Sequence, residues 1–175
     1  FDRLAAANPN ASEVELIKMD KLSQTVVLTS QGVSFLHSGA EILRTKKGVA
    51  NSYNSPDSIN EIDWSRKSTY KEVFNFYKSL VALRKNHPAF RMPTTRMIQD
   101  HLKFIDTEDS LLLAYEINSN ANGDSWKDIL VILNGNSTDK DFKLPEGNWT
   151  LAVDGNNVNE NGIKKIAAKL TVPAT

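Results

Sequence analysis

The chain has 175 residues, enough to bury a sizeable core and to form one or two domains, and its 21 Lys and Arg are matched by 21 Asp and Glu. That balance offers no global charge to draw it to nucleic acid or to a membrane surface, and no apolar run approaches the ~20 residues of a membrane span. It contains no cysteine, which excludes disulfides, thiolate zinc sites and cysteine nucleophiles.

Ser12 and Glu15 have the spacing of a capping box, and they open a predicted helix over residues 12–30. Val14, Leu16, Ile17, Leu22 and Val26 give that helix an apolar face at roughly helical spacing. Val33-Ser34-Phe35-Leu36-His37, closed by Ser38-Gly39, predicts a buried strand over 32–37 that ends at a tight turn. A long polar loop then runs to about Arg66. Thr69 with Glu72 predicts a second capping box and a helix over 70–86, with Val73, Phe76, Tyr77, Leu80 and Val81 as its buried stripe. His87-Pro88 ends it, because the residue before proline avoids the helical region.

The character changes after Pro93. Short alternating segments at 102–106, 110–118, 127–134, 140–144, 148–153 and 163–172 are separated by turn residues, the pattern of an antiparallel β-sandwich. Leu112, Ala114, Ile129, Val131, Leu133, Leu151 and Val153 are the expected inward residues of a core of its own. The boundary is expected near residues 92–96.

The loop carries the chemistry. It is rich in amides, carboxylates and basic groups: Arg44, Lys46, Asn51, Ser52, Tyr53, Asn54, Asp57, Asn60 and Asp63. A loop of this length in a compact domain generally has work to do. Amides and carboxylates hydrogen-bond hydroxyls and aromatic faces pack on sugar rings, so the composition suits a polyhydroxylated ligand. The competing reading is a loop that holds itself together, with Asn and Asp capping turns and Arg44 paired with Asp57 or Asp63.

The stretch from Ser30 to Trp64 resembles the last barrel strand and following loop of type I pullulanases, debranching enzymes of the α-amylase superfamily, whose pattern is close to GIPFLHAGEEFLRTKxGxxNSYNSPDxxNxIDW. Gly32, Phe35 to His37, Gly39, Glu41, Leu43 to Lys46, Gly48, Asn51 to Asp57, Asn60 and Ile62 to Trp64 match; Ser34, Ser38 and Ala40 depart from it. Phe1-Asp2-Arg3-Leu4 resembles the segment after the family's HDN motif, and Lys85 to Pro93 its final barrel helix and exit. The resemblance implies an α+β fragment: residues 1–92 as the last one-and-a-half βα units of a (β/α)8 barrel, and residues 93–175 as a C-terminal antiparallel β-sandwich domain. A complete barrel needs eight strands and typically ~250 residues.

The implied activity is hydrolysis of α-1,6-glucosidic linkages in pullulan, glycogen or starch by a retaining mechanism with two carboxylates about 5–5.5 Å apart. In the resembled family those carboxylates, and a third that stabilises the distorted sugar, come from earlier barrel strands. No catalytic residue is therefore expected in this chain, which should be inactive alone. The substrate-binding candidates are Arg44, Asn51, Tyr53, Asn54 and Asp57. The implied partner is an α-glucan polysaccharide or oligosaccharide in the full-length parent, with no nucleic acid, membrane, metal or cofactor. The readings from other classes are a stand-alone carbohydrate-binding module and a structural β-sandwich module.

The remaining singular residues favour structural roles. His37 is read as a packed strand residue and Glu41 as a loop brace. His87 and His101 lack the spacing of zinc ligands. The Asp154–Glu160 stretch fails the calcium-loop pattern at Val158 and reads as a turn. Trp126 and Trp149 are weighed as sugar platforms, with core packing favoured for both.

Overall fold

Two long helices and three small antiparallel sheets make up an α+β architecture, in a computed structural model that describes residues 1–175. A short helix α1 (Asp2–Ala7) precedes α2 (Glu13–Thr29). The capping box forms as its spacing predicts. The Ser12 hydroxyl accepts from the Glu15 backbone N–H, and the Glu15 carboxylate accepts from the Ser12 backbone N–H at 2.7 Å. The other end of α2 is closed from outside. The buried Arg84 guanidinium donates to the carbonyls of Leu28, Ser30 and Gly32, neutralising the helix end where carbonyls lack intrahelical partners.

The expected apolar face of α2 is only partly the buried one. Leu16 and Leu28 are buried, together with Asp20 and Lys21, while Val14 and Val26 are exposed. The packing of α2 on the later helix selects the inward face, and a face with nothing laid against it stays wet whatever its residues.

The predicted strand over 32–37 does not form. Residues 33–37 have no regular structure, with Val33 99% and Phe35 85% exposed. A strand is stabilised by its ladder, and no other segment of this chain pairs with this one. His37, expected to be packed, is exposed with it.

Beyond a 3-10 turn at Ala40–Ile42, the loop contains two single-turn helices, α3 (Asp57–Asn60) and α4 (Arg66–Thr69). The latter abolishes the second capping box. The long helix α5 (Lys71–Asn86) follows Tyr70, whose φ of −108° and ψ of 40° are non-helical, and no side chain caps it. Its stripe is close to expectation. Val73, Phe76, Tyr77 and Leu80 are buried, joined by Leu83 and Arg84, with Val81 half-buried. Fully burying one such aliphatic side chain is worth roughly 1.5–3 kcal/mol. Pro88 ends the helix and begins a 3-10 turn at Pro88–Arg91.

A helix absent from the sequence expectation, α6 (Thr95–His101), comes next, with the Thr94 hydroxyl accepting from the Met97 backbone N–H. The strands then lie close to their predicted places. β1 (Leu102–Ile105), β2 (Leu112–Ile117) and β3 (Ile129–Asn134) form one antiparallel sheet in that order. β4 (Lys140–Lys143) pairs with β7 (Lys169–Val172), and β5 (Trp149–Leu151) with β6 (Lys164–Ile166). The single segment expected over 163–172 is two strands, broken where Ala168 takes a φ of +51°.

The residues expected on one inward face divide between two. Ala114 lies opposite Ile132, and Leu112 and Ala114 pack on Phe142 and Leu144. Tyr115 lies opposite Val131, and with Ile117, Ile129 and Leu133 they pack the other way, on Leu28, Phe76, Leu80 and Phe90. Leu151 and Val153 are half-buried. The first sheet is thus covered on both faces, and the largest core cluster is shared across residue 93 rather than divided there. No helix is long and apolar enough to cross a membrane.

Candidate functional site

The loop is organised by residues that stay inside it. Asn60 is its hub. Its Nδ2 donates to the carbonyls of Ser52 at 2.7 Å and Ser55 at 2.9 Å, and its Oδ1 accepts from Lys46 Nζ at 2.9 Å. Lys46 also reaches the Ser52 hydroxyl at 2.7 Å. The Asp2 carboxylate holds the base of the loop, accepting from the backbone N–H groups of Lys46 and Gly48. Burial pushes the Asp2 carboxyl up, but hydrogen bonds from Thr45, Lys46 and Gly48 outweigh it and hold the group below its ordinary range.

Arg44 belongs to this bracing set. Its guanidinium donates to the carbonyls of Asn60 and Ser38, and its Nε is buried without a partner. It pairs with neither Asp57 nor Asp63, since a side chain committed to backbone carbonyls does not reach them. Its stem packs on Gly39, where an added Cβ would lie 2.8 Å from Arg44 Cβ. With a φ of +87°, glycine is required there twice over, for the turn and for the close approach. Arg66 supports the same corner, donating to the carbonyls of Ile42 and Leu43. Leu43 is fully buried in a left-handed conformation, φ +53°.

The other four candidates are arranged differently. Asn51, Tyr53, Asn54 and Asp57 are all exposed, Tyr53 to 84%, on the rim that Lys46, Ser52 and Asn60 hold in shape. Pro56 and Asp57 start the single turn of α3, which places the Asp57 carboxylate at that turn's first position, where negative charge is favoured. Asp63 is a turn residue. Its carboxylate accepts from the Ser65 hydroxyl and backbone N–H, which hold it below the ordinary range. The structure therefore separates one bracing cation from an amide–phenol–carboxylate rim, a distinction that residue types do not carry. Asn60 and Lys46 were legible as polar loop residues, but not as the hub, because their side-chain bonds span 5 to 14 positions.

The two tryptophans weighed as platforms, Trp126 and Trp149, are both partly buried. Trp126 is half-buried and stacks on His87 with ring centroids 3.7 Å apart, and Trp149 is half-buried with its Nε1 donating to the Pro145 carbonyl. Asp154 caps its own turn, accepting from the backbone N–H groups of Asn156 and Asn157.

Comparison with known proteins gives this geometry its setting. Residues 98–157 match the family model described as "Pullulanase, all-beta domain". Pullulanase of Bacillus subtilis (strain 168) is 39% identical over 145 residues, covering 83% of this chain and 20% of that protein. The structure of pullulanase from Bacillus acidopullulyticus superimposes with a TM-score of 0.95 at 43% identity, covering 99% of this chain and 21% of that one. That of pullulanase type I from B. subtilis complexed with maltose gives a TM-score of 0.92 at 36% identity, covering 98% of this chain and 24% of that one. In sequence and in fold this chain is similar to part of these pullulanases, of whose length it spans about a fifth.

Proposed function

We propose that this chain is the C-terminal part of a debranching glycoside hydrolase that cleaves α-1,6-glucosidic linkages in pullulan, glycogen or starch. The observation that carries the reading is the likeness to a pullulanase across 99% of the chain. Residues 1–92 are the closing one-and-a-half βα units of the catalytic (β/α)8 barrel, and residues 93–175 are a β-sandwich packed against it through the shared core. The extended segment 33–37 is the last barrel strand, whose ladder partners belong to the rest of the barrel.

In this reading the nucleophile and general acid of the retaining mechanism lie on earlier strands, outside this chain. What the chain contributes is the surface beyond the last strand, which in such a barrel faces the catalytic mouth. Tyr53 offers an exposed ring to a glucose face. Asn51 and Asn54 offer amide donors and acceptors to hydroxyls, and Asp57 accepts from them. Arg44, Lys46 and Asn60 hold these groups in place without touching sugar. The maltose bound by the B. subtilis relative is the ligand class expected.

The test is an assay of reducing ends released from pullulan. The intact parent carrying this chain should turn over. The isolated chain should show nothing above a heat-treated control, because a transition state with oxocarbenium character is not stabilised by one loop alone. Turnover by the repurified chain would defeat the proposal.

A further inference from the structure

Asparagine is thermally labile, most of all before glycine, where no Cβ shields the following backbone nitrogen from the asparagine carboxamide. The chain has three such pairs, Asn122-Gly123, Asn134-Gly135 and Asn161-Gly162. They share one protection. The glycine N–H donates in each, to the carbonyls of Asn120, Leu111 and Asn159 at 2.9, 2.8 and 2.9 Å. What separates them is the asparagine side chain.

Asn134 is buried. Its Nδ2 donates to the carbonyls of Thr138, Val172 and Pro173, and its Oδ1 accepts from the Asn136 backbone N–H. Asn122 is half-buried, and its Nδ2 donates to the carbonyls of Pro88 and Arg91. Swinging either carboxamide onto the next nitrogen breaks these bonds and strands their acceptors. Asn161 is exposed, and its carboxamide makes no hydrogen bond within the chain. It therefore samples its rotamers freely and reaches the Gly162 nitrogen without losing a side-chain bond.

We propose that Asn161 is a modification site, at which the folded chain deamidates spontaneously and so loosens the β5–β6 hairpin. The Gly162 nitrogen loses its proton to solvent base and attacks Asn161 Cγ. A new C–N bond closes a cyclic imide, and the side-chain nitrogen leaves as ammonia. Water then adds to either ring carbonyl and opens the ring, giving aspartate or isoaspartate, so an amide and water become a carboxylate and ammonium. Isoaspartate adds a methylene to the main chain where Asn159 ties the turn. The Asn159 Oδ1 accepts from the Asn161 N–H, its Nδ2 donates to the Gly162 carbonyl, and its own carbonyl accepts from the Gly162 N–H. Gly162 is already crowded, since a Cβ there would lie 2.4 Å from Thr150 Cγ2. Either product also places a negative charge beside Glu160, whose carboxylate accepts from Asn86 Nδ2 at the end of α5. The turn is shaped by bonds within residues 150–163, from Ala152 to Asn159 and from Leu151 to Ile163, so the site does not depend on the glucan-binding reading of the loop.

Incubation of the full chain in mildly alkaline buffer tests it, with peptide mapping by mass spectrometry at intervals and Asn161→Ser alongside. The replaced side chain is exposed and unbonded, so fresh Asn161→Ser should melt as fresh wild type does. Asn161 should convert several-fold faster than Asn122 or Asn134. An acidic species should grow on ion exchange in wild type, and that species should melt below the fresh protein. Aged Asn161→Ser should show neither change. In urea, where the fold no longer separates the three pairs, their rates should converge. Asn122 or Asn134 converting first, an equal acidic species in Asn161→Ser, an acidic species that melts unchanged, or an Asn161 lead that persists undiminished in urea would each overturn the proposal.

Discussion

His87 Nδ1 lies 2.8 Å from Asp124 Oδ1, and both side chains are almost wholly shut off from solvent. This pair joins the end of α5 to the turn before β3. The same carboxylate also accepts from the backbone N–H groups of Ala89 and Trp126, and Trp126 covers the imidazole. One buried acceptor thus satisfies three donors drawn from both halves of the chain.

Replacing Asp124 with alanine should therefore destabilise by about 3–5 kcal/mol, because each donor is left buried without a partner. Asp124→Asn, which keeps one acceptor oxygen, should lose less. Urea titration followed by tryptophan fluorescence reads both, and an alanine variant within about 0.5 kcal/mol of wild type would contradict the role given to this junction.

A second buried pair sets a pH dependence. The Tyr77 hydroxyl donates to Asp20 Oδ2 at 2.7 Å between α5 and α2. Burial pushes the Asp20 carboxyl above its ordinary value, more than the Tyr77 hydrogen bond pulls it down, and burial drives the Tyr77 phenol up as well. A carboxyl with a raised folded-state pKa binds its proton more tightly folded than unfolded. Its contribution is fully present below the unfolded value, near 3.9, and is lost as pH rises through the higher folded value. Asp20→Asn has no such loss, so its stability relative to wild type should improve from pH 4 to pH 7. Melting temperatures of the two proteins across that range check this, and a difference that moves the other way contradicts it.

The loop corner provides a third case. Gly48→Ala meets open space and only the cost of a left-handed conformation, roughly 1–2 kcal/mol. Gly39→Ala adds a Cβ that collides with the Arg44 stem, so it should cost more and should displace Arg44 from the Asn60 carbonyl. Thermal melts rank the two variants. Equal losses would mean that Arg44 does not pack on Gly39 as described.

These cases also mark what the sequence makes legible. The Ser12–Glu15 box reads directly because both partners lie within one turn and need no distant residue. The same spacing at Thr69 and Glu72 misleads, because the chain turns at Tyr70 and the helix starts one residue too late for Thr69 to cap it. Alternation located the strands well, yet Leu112 and Val131 share a sheet and face opposite ways, since alternation fixes a face and not what covers it. The segment 32–37 has strand composition and no ladder, because pairing is a property of two segments. In the loop, residue types marked Arg44, Asn51, Tyr53, Asn54 and Asp57 as one set. Only the bonds made by Asn60, sixteen positions from Arg44, divide brace from rim.

The most direct measurement is the steady-state kinetics of the intact parent on pullulan, with melting temperatures taken in parallel. Alanine at Asn51, Tyr53 or Asp57 should lower kcat/KM several-fold, the equivalent of ~0.5–1.5 kcal/mol per lost hydrogen bond, with the melting temperature unchanged. Asn60→Ala should lower the melting temperature. Unchanged kcat/KM in all three rim variants would contradict the assignment of this loop to the glucan-binding surface.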